Sequence, residues 1–190
     1  METVYHALIP LLWLAWLAYW FVAARGVKAD RRQESVASRA GHIVPLVVAV
    51  LLLWPDRMPG NFLGGRILPA TSTTFFIGVA LLTLGLAFTV WARHYLGRNW
   101  SGIVTVKQDH ELVRSGPYRW VRHPIYSGLL LAFVGCAIAR GEWRGVIAVL
   151  IVFAALWRKL KLEERFMIET FGDAYLRYRA EVRALIPFVI

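Results

Sequence analysis

The chain has 190 residues, 58% of them hydrophobic and only 18% charged, with nine Trp and a mean hydropathy of +0.51. Apolar content this high excludes disorder and collagen-like repeats and is wrong for a soluble enzyme. A single Cys, Cys136, excludes an internal disulfide and a Cys-rich zinc or iron-sulfur site, and the five His are too scattered to pair as ligands, so no metal is expected. The formal charge of +10 calls for an anionic partner, and its distribution along the chain decides which.

Residues 4–24 carry no charged side chain and are long enough to cross a hydrocarbon core of about 30 Å as a helix. Glu2 before the run and Arg25 after it lack the basic start and small-residue cleavage site of a signal peptide, so it reads as a retained first span. A second span over 41–55 has Pro45 near its start and ends at Trp54-Pro55. Residues 25–40 between them read as a surface loop or interfacial helix. The third span, 70–92, is uncharged and offers Gly78 and Gly85 as positions where another helix can approach closely. Residues 125–139 and 145–157 form two more apolar runs around Arg140-Gly141-Glu142-Trp143-Arg144-Gly145, the pattern of a tight helical hairpin. The expected fold is therefore all-α, a polytopic membrane protein of about five spans in a single domain, with three N-terminal spans in 1–95 and a core in 96–190.

Of the 22 Lys and Arg, 18 fall in the segments after spans one, three and five; only Arg57, Arg66, Arg140 and Arg144 fall on the other side. By the positive-inside rule the N-terminus lies outside and the C-terminus in the cytoplasm. Anionic lipid headgroups then account for the charge, and nucleic acid is not expected, because no recognition module is present.

The polar information lies in 93–124 and 158–190. The first stretch runs through an alternating Ile103-Val104-Thr105-Val106 segment to His110-Glu111-Leu112-Val113-Arg114-Ser115-Gly116-Pro117-Tyr118, then Arg122-His123-Pro124-Ile125-Tyr126-Ser127-Gly128. Gly116-Pro117 marks a turn, and Pro124 suits the first turn of span four. The free N–H groups there, with Arg122 and His123, suit a carboxylate or phosphate. In the second stretch span five continues as a helix through Glu163-Glu164, breaks at Phe171-Gly172-Asp173, and restarts with Asp173 as N-cap. Arg, His, Trp and Tyr are common membrane-surface anchors, but their density over 110–128 is more than anchoring needs and reads as a small-molecule pocket.

These motifs, with Phe171-Gly172, Tyr175, Tyr178 and a terminal Ile186-Pro187, resemble the C-terminal signature of the isoprenylcysteine carboxyl methyltransferases, within a wider group that includes the phospholipid N-methyltransferases. The resemblance covers roughly residues 96–187. It implies a membrane enzyme that moves a methyl group from S-adenosylmethionine to a lipid-like or prenylated acceptor, with the cofactor entering from the cytoplasm. Carried over by position, it implies a cofactor site at His110, Val113, Gly116, Tyr118, Arg122, His123, Pro124, Tyr126, Gly128, Glu163 and Glu164, the two Gly allowing close backbone approach. Trp100, Tyr175, Tyr178 and Arg179 are candidates for the acceptor, its tail lying near Gly78, Gly85 and Trp100. Glu164 and Arg179 are the expected catalytic pair. Two other classes stay open: a nicotinamide-dependent membrane sterol or enone reductase, which has a similar terminal arrangement, and a non-enzymatic binder or transporter, against which stand the uncharged spans and the lack of an internal repeat.

Overall fold

The computed structural model describes residues 2–25, 27, 30–54, 62–101, 104–107 and 111–189. Its helices are α1 (Glu2–Ala23), α2 (Val36–Leu53), α3 (Ser72–Leu96), α4 (Pro124–Arg140), α5 (Trp143–Phe171) and α6 (Asp173–Glu181). Two strands, β1 (Asp30–Gln33) and β2 (Thr105–Lys107), and three short 3-10 turns complete the elements among the described residues.

Local chemistry sets most of the boundaries. Ser35 Oγ accepts from Ser38 N at 3.2 Å and Thr71 Oγ1 from Thr74 N at 3.1 Å, so α2 and α3 each start at a hydroxyl cap. The cap at Ser35 places five residues of the expected 25–40 connector inside α2 and makes Pro45 an interior residue. Pro124 opens α4, and Gly141, at φ 67°, closes it and turns the chain into α5 as the hairpin reading expects. α5 then runs unbroken for 29 residues. Gly172 (φ 52°) bends the chain into α6; the cap is Gly172 itself, and Asp173 is the first helical residue rather than the N-cap.

The bundle is all-α as expected, with one short two-stranded pairing added to it. β1 and β2 pair antiparallel, with Arg32 opposite Val106 and Gln33 opposite Thr105, so Asp30–Gln33, within the connector expected to be a surface loop or interfacial helix, forms a paired strap with Thr105–Lys107. Glu34 extends the pairing: its N–H reaches Val104 O at 2.9 Å, and its buried carboxylate accepts from Val104 N at 3.2 Å and lies 3.4 Å from His42 Nε2. Val104 packs on Phe166, which fixes the strap to α5.

The tightest packing is between α3 and α4. An added Cβ on Gly78 would lie 2.4 Å from Ala139 N, and one on Gly85 would lie 2.5 Å from Gly128 O. Gly128 and Gly135 face back, their Cβ positions 2.6 Å from Gly85 O and 2.4 Å from Leu82 N. This small-residue seam lets the two backbones touch. It also closes the space expected to hold an acceptor tail near Gly78 and Gly85. Gly85→Ala is expected to cost about 1–3 kcal/mol, because the clash is with backbone and cannot be relieved by a rotamer. Thermal unfolding in detergent, against Thr83→Ala on the exposed side, checks this. α1 is tied to the seam by Trp16 Nε1 to Thr89 Oγ1 at 2.6 Å and Trp13 Nε1 to Cys136 Sγ at 3.4 Å. α2 lies along α5 through Ala49, Val152 and Leu156.

What the bundle leaves outside is apolar. Leu11, Leu14, Phe21, Val44, Leu51, Phe76, Leu84 and Leu150 are each more than half exposed. Among the described residues α2 and α3 are each long and apolar enough to cross a membrane, while α4 and the apolar part of α1, Ala7–Ala23, are shorter. Water is the wrong solvent for such a surface and a bilayer the right one. The chain is a helical membrane protein.

Candidate active site

At the end of the bundle lies a cavity of about 250 Å³, close to the roughly 300 Å³ at which small-molecule sites begin. Ten of the predicted site residues line it: Trp100, Val113, Tyr118, Arg122, His123, Pro124, Tyr126, Glu163, Tyr175 and Tyr178. Pro124 begins α4 and so aims His123 and Tyr126 from the helix start; their rings stack with centroids 5.4 Å apart and planes at 6°. α5 brings Glu163, whose carboxylate accepts from Tyr126 OH at 2.5 Å and lies 3.5 Å from His123 Nδ1. The bend at Gly172 returns α6, so Tyr175 and Tyr178 form the far wall, and Tyr178 OH donates to Tyr118 O.

Glu164 and Arg179 sit elsewhere. One residue along a helix is a turn of about 100°, so adjacent carboxylates face different neighbours. Glu164, almost fully buried, accepts from Arg122 Nε at 2.9 Å and from Arg122 Nη2, and lies 3.6 Å from His123 Nε2 and 3.5 Å from Arg179 Nε. Neither Glu164 nor Arg179 lines the cavity, and the Arg179 side chain is 44% exposed. Arg122 also donates to Val182 O and to Arg179 O, the latter at 3.2 Å. The backbone continues the clasp: Arg122 N reaches Arg183 O at 2.8 Å, His123 N reaches Ala184 O at 3.0 Å, and Ser127 Oγ reaches Leu185 O at 2.5 Å. Residues 182–185 thus occupy the start of α4, where an anion was expected.

The two predicted Gly do other work than backbone approach to a cofactor. Gly128 belongs to the α3–α4 seam, and Gly116, at φ 57°, packs against the Tyr95 ring. His110 lies outside the described residues. The cavity also has residues that no motif marked, among them Trp16, Trp20, Leu46 and Lys159. Trp16 and Trp20 stack at 4.5 Å, and Trp20 meets Trp100 edge-on at 5.8 Å. Lys159 Nζ stands 5.5 Å over the Tyr126 ring.

Electrostatically the cluster is a His between two carboxylates. Burial disfavours a charged His123, but Glu163 and Glu164 outweigh burial and raise its pKa. Burial likewise opposes charge on Glu164, yet His123 and Arg122 hold its carboxyl down to about 2. Glu163 is lowered too, by His123 and Lys159 against its burial. Burial, with Glu164 beside Tyr175, pushes the Tyr175 phenol up, and burial does the same for Tyr178. The phenols are therefore proton donors throughout the neutral range. No group of three or more His, Cys, Asp or Glu able to hold a metal occurs among the described residues.

A model of the phospholipid methyltransferase family matches residues 73–174, from the first turn of α3 to the first turn of α6. The chain belongs to the phospholipid methyltransferase family. Protein-S-isoprenylcysteine O-methyltransferase of Saccharomyces cerevisiae is 32% identical over 126 residues, covering 63% of this chain and 52% of that protein. The Mus musculus protein of the same name is 29% identical over 153 residues, covering 78% of this chain and 53% of its own length. The fold is that of a solved eukaryotic intramembrane Ras methyltransferase, isoprenylcysteine carboxyl methyltransferase, with a TM-score of 0.59 and 23% identity over 80% of this chain and 52% of that one. The chain spans about half the length of the curated relatives it matches. The family match contains Arg122, His123, Tyr126, Glu163 and Glu164, and leaves Trp16, Trp20 and Tyr178 outside it.

Proposed function

We propose that this protein is an S-adenosylmethionine-dependent membrane methyltransferase acting on the carboxylate of a prenylcysteine-type acceptor. The observation that carries this reading is the cavity itself, where His123, the Glu163 carboxylate and a wall of Trp and Tyr rings meet at the end of a lipid-facing bundle. The donor set fits the cofactor. Aromatic faces of Tyr118, Tyr126 and Tyr175 suit an adenine and a sulfonium, Glu163 suits ribose hydroxyls, and Lys159 and His123, whose buried Nε2 has no hydrogen-bond partner, suit its carboxylate. When bound, S-adenosylmethionine supplies a methyl group activated on sulfur.

The chain's task is then alignment and exclusion of water, since a carboxylate acceptor is already a nucleophile and needs no base. Trp16, Trp20 and Trp100 offer an apolar wall to a prenyl tail; Tyr175 donates to the acceptor head as a protonated phenol, while Tyr178, whose hydroxyl donates to Tyr118 O, packs beside it as a wall. Arg179, outside the cavity, acts on the head through Glu164 and Arg122. The placement of the basic residues supports a five-span arrangement with the N-terminus outside and the cavity facing the cytoplasm.

Calorimetric titration of the purified protein with S-adenosylmethionine, and separately with NADPH, tests the reading. The expected result is saturable binding of S-adenosylmethionine, weakened at least about tenfold in His123→Ala, with NADPH silent. Transfer of a labelled methyl to a prenylated cysteine bearing a free carboxylate is expected to follow. NADPH binding in place of S-adenosylmethionine would assign the cavity to the reductase class, and transfer only to an aminophospholipid would replace the acceptor.

A further inference from the structure

The cavity has a polar end and an apolar end, and the apolar end has a floor. Along α5 its lining runs from Glu163 through Lys159 to Leu156, one turn apart on one helix face. Along α4 it runs in the same direction from His123 through Tyr126 to Leu129, and Trp16 and Leu46 complete the apolar end from α1 and α2. One turn further in, each helix is packed core: Ala49 and Val152 are fully buried, Phe133 is nearly so, and the Trp13 ring lies 5.4 Å from that of Phe133. Four helices thus end the cavity at one level, with Trp16, Leu46, Leu129 and Leu156 as its floor.

Trp16 is the largest of the four and is fixed in place. Its Nε1 donates to Thr89 Oγ1 at 2.6 Å, and the buried Thr89 hydroxyl donates in turn to Leu86 O at 2.7 Å. The Trp16 ring stacks on Trp20 at 4.5 Å and meets Trp13 edge-on at 5.5 Å. Holding α1 against the α3–α4 seam explains a buried indole with a satisfied N–H. Trp13, which donates to Cys136 Sγ, already does that from within the core, whereas Trp16 also turns a face to the cavity.

The depth above this floor follows from the helix rise. From Glu163 to Leu156 is seven residues, about 10 Å along α5 at roughly 1.5 Å per residue. An extended geranyl tail fits that depth, and a geranylgeranyl tail, with twice as many isoprene units, overruns it. We infer that Trp16 limits the length of the acceptor's tail, with Thr89 as its positioning residue, so that the site selects short prenyl tails over long ones. Selection by length presupposes the prenylcysteine reading above and adds to it the feature by which acceptors are told apart.

The test is calorimetric titration of the full chain in neutral detergent with N-acetylated S-geranyl-, S-farnesyl- and S-geranylgeranylcysteine. Partition of each acceptor into detergent is the same for every variant, so the affinity ratio of the shortest to the longest is compared between proteins. In Trp16→Leu that ratio is expected to fall at least about tenfold, in favour of the long tail. Thr89→Val keeps the side chain's shape and removes the acceptor for the indole N–H; it is expected to lower the ratio at least about threefold, while Thr89→Ser holds it within about twofold. In methyl-transfer assays the change should fall on KM and leave kcat. Each variant is first checked for a cooperative unfolding transition, and the Thr89 pair carries the test if Trp16→Leu does not fold. Binding of all three acceptors with a ratio unmoved in Trp16→Leu and Thr89→Val would mean that the tail leaves the cavity sideways between helices, and would overturn the length limit alone. Equal change in Thr89→Val and Thr89→Ser would remove Thr89 as the positioning residue. Failure of all three to bind the unaltered chain would overturn the prenylcysteine reading itself and the length limit with it.

Discussion

Glu164→Gln is expected to lower stability by about 3–5 kcal/mol, read as a fall in unfolding temperature in detergent, while Glu164→Leu falls at least as far. The cost arises from the partner left behind: the Arg122 side chain is 8% exposed and would keep its charge with no carboxylate to meet it. Replacing both, as Arg122→Met/Glu164→Leu, is expected to recover part of the loss, since a buried ion pair exchanged for apolar groups leaves no orphan charge. The same cluster sets a pH dependence. The Glu164 carboxyl is held at about 2 against a usual 4.5, so its contribution is complete above about pH 4.5 and disappears as pH falls toward 2. His123 is raised above its usual 6.5, so its contribution is complete below about pH 6.5 and disappears as pH rises through the raised value. Stability should therefore be highest between about pH 4.5 and 6.5 and fall on both sides, and Glu164→Gln should flatten the acid limb. An unfolding temperature unchanged by Glu164→Gln at pH 6 would mean that the pair does not hold α4, α5 and the 182–185 segment together.

The fold was legible wherever a local signal repeats along one element. The α4–α5 hairpin, the continuation of α5 as one helix through Glu163-Glu164 and the break at Gly172 all follow from short-range chemistry, as does the role of Gly78 and Gly85 as close-approach positions. What the sequence hid depends on pairing over long separations. Asp30–Gln33 carries no apolar alternation and becomes a strand only because Thr105–Lys107 lies beside it, some 70 residues away. The alternating Ile103-Val104-Thr105-Val106 segment marked one side of that ladder but not its partner. The site shows the same division. Tyr118, His123, Tyr126 and Glu163 stood out because polar groups are rare in this chain, whereas Trp16 and Trp20 are apolar residues in an apolar span, with nothing to mark which face of α1 reaches the cavity. Gly128 misled for a related reason: a Gly two residues from a site residue serves a ligand or a helix crossing, and only the position of Gly85 decides between them.

Glu163→Gln is the counterpart of the Glu164 change and should fail differently. Its side chain is 24% exposed, lines the cavity, and meets no guanidinium that would be orphaned. The amide oxygen can still accept from Tyr126 OH, so the stacked His123 and Tyr126 rings keep their place and stability should change by less than about 1 kcal/mol. The loss falls on ligand binding. A charge-assisted hydrogen bond contributes about 1.5–3 kcal/mol, so affinity for S-adenosylmethionine should drop roughly 10- to 100-fold. Removing one of the two carboxylates that raise His123 should also move the alkaline limb of binding to lower pH, a shift that simple loss of packing would not produce. Calorimetry across pH on the folded variant separates these outcomes. Unchanged affinity would take Glu163 out of the cofactor site, and a stability loss as large as that of Glu164→Gln would make the two carboxylates one structural cluster. The division expected instead is that of a helix face: one turn of about 100° along α5 separates the carboxylate that holds the chain together from the one that meets the ligand.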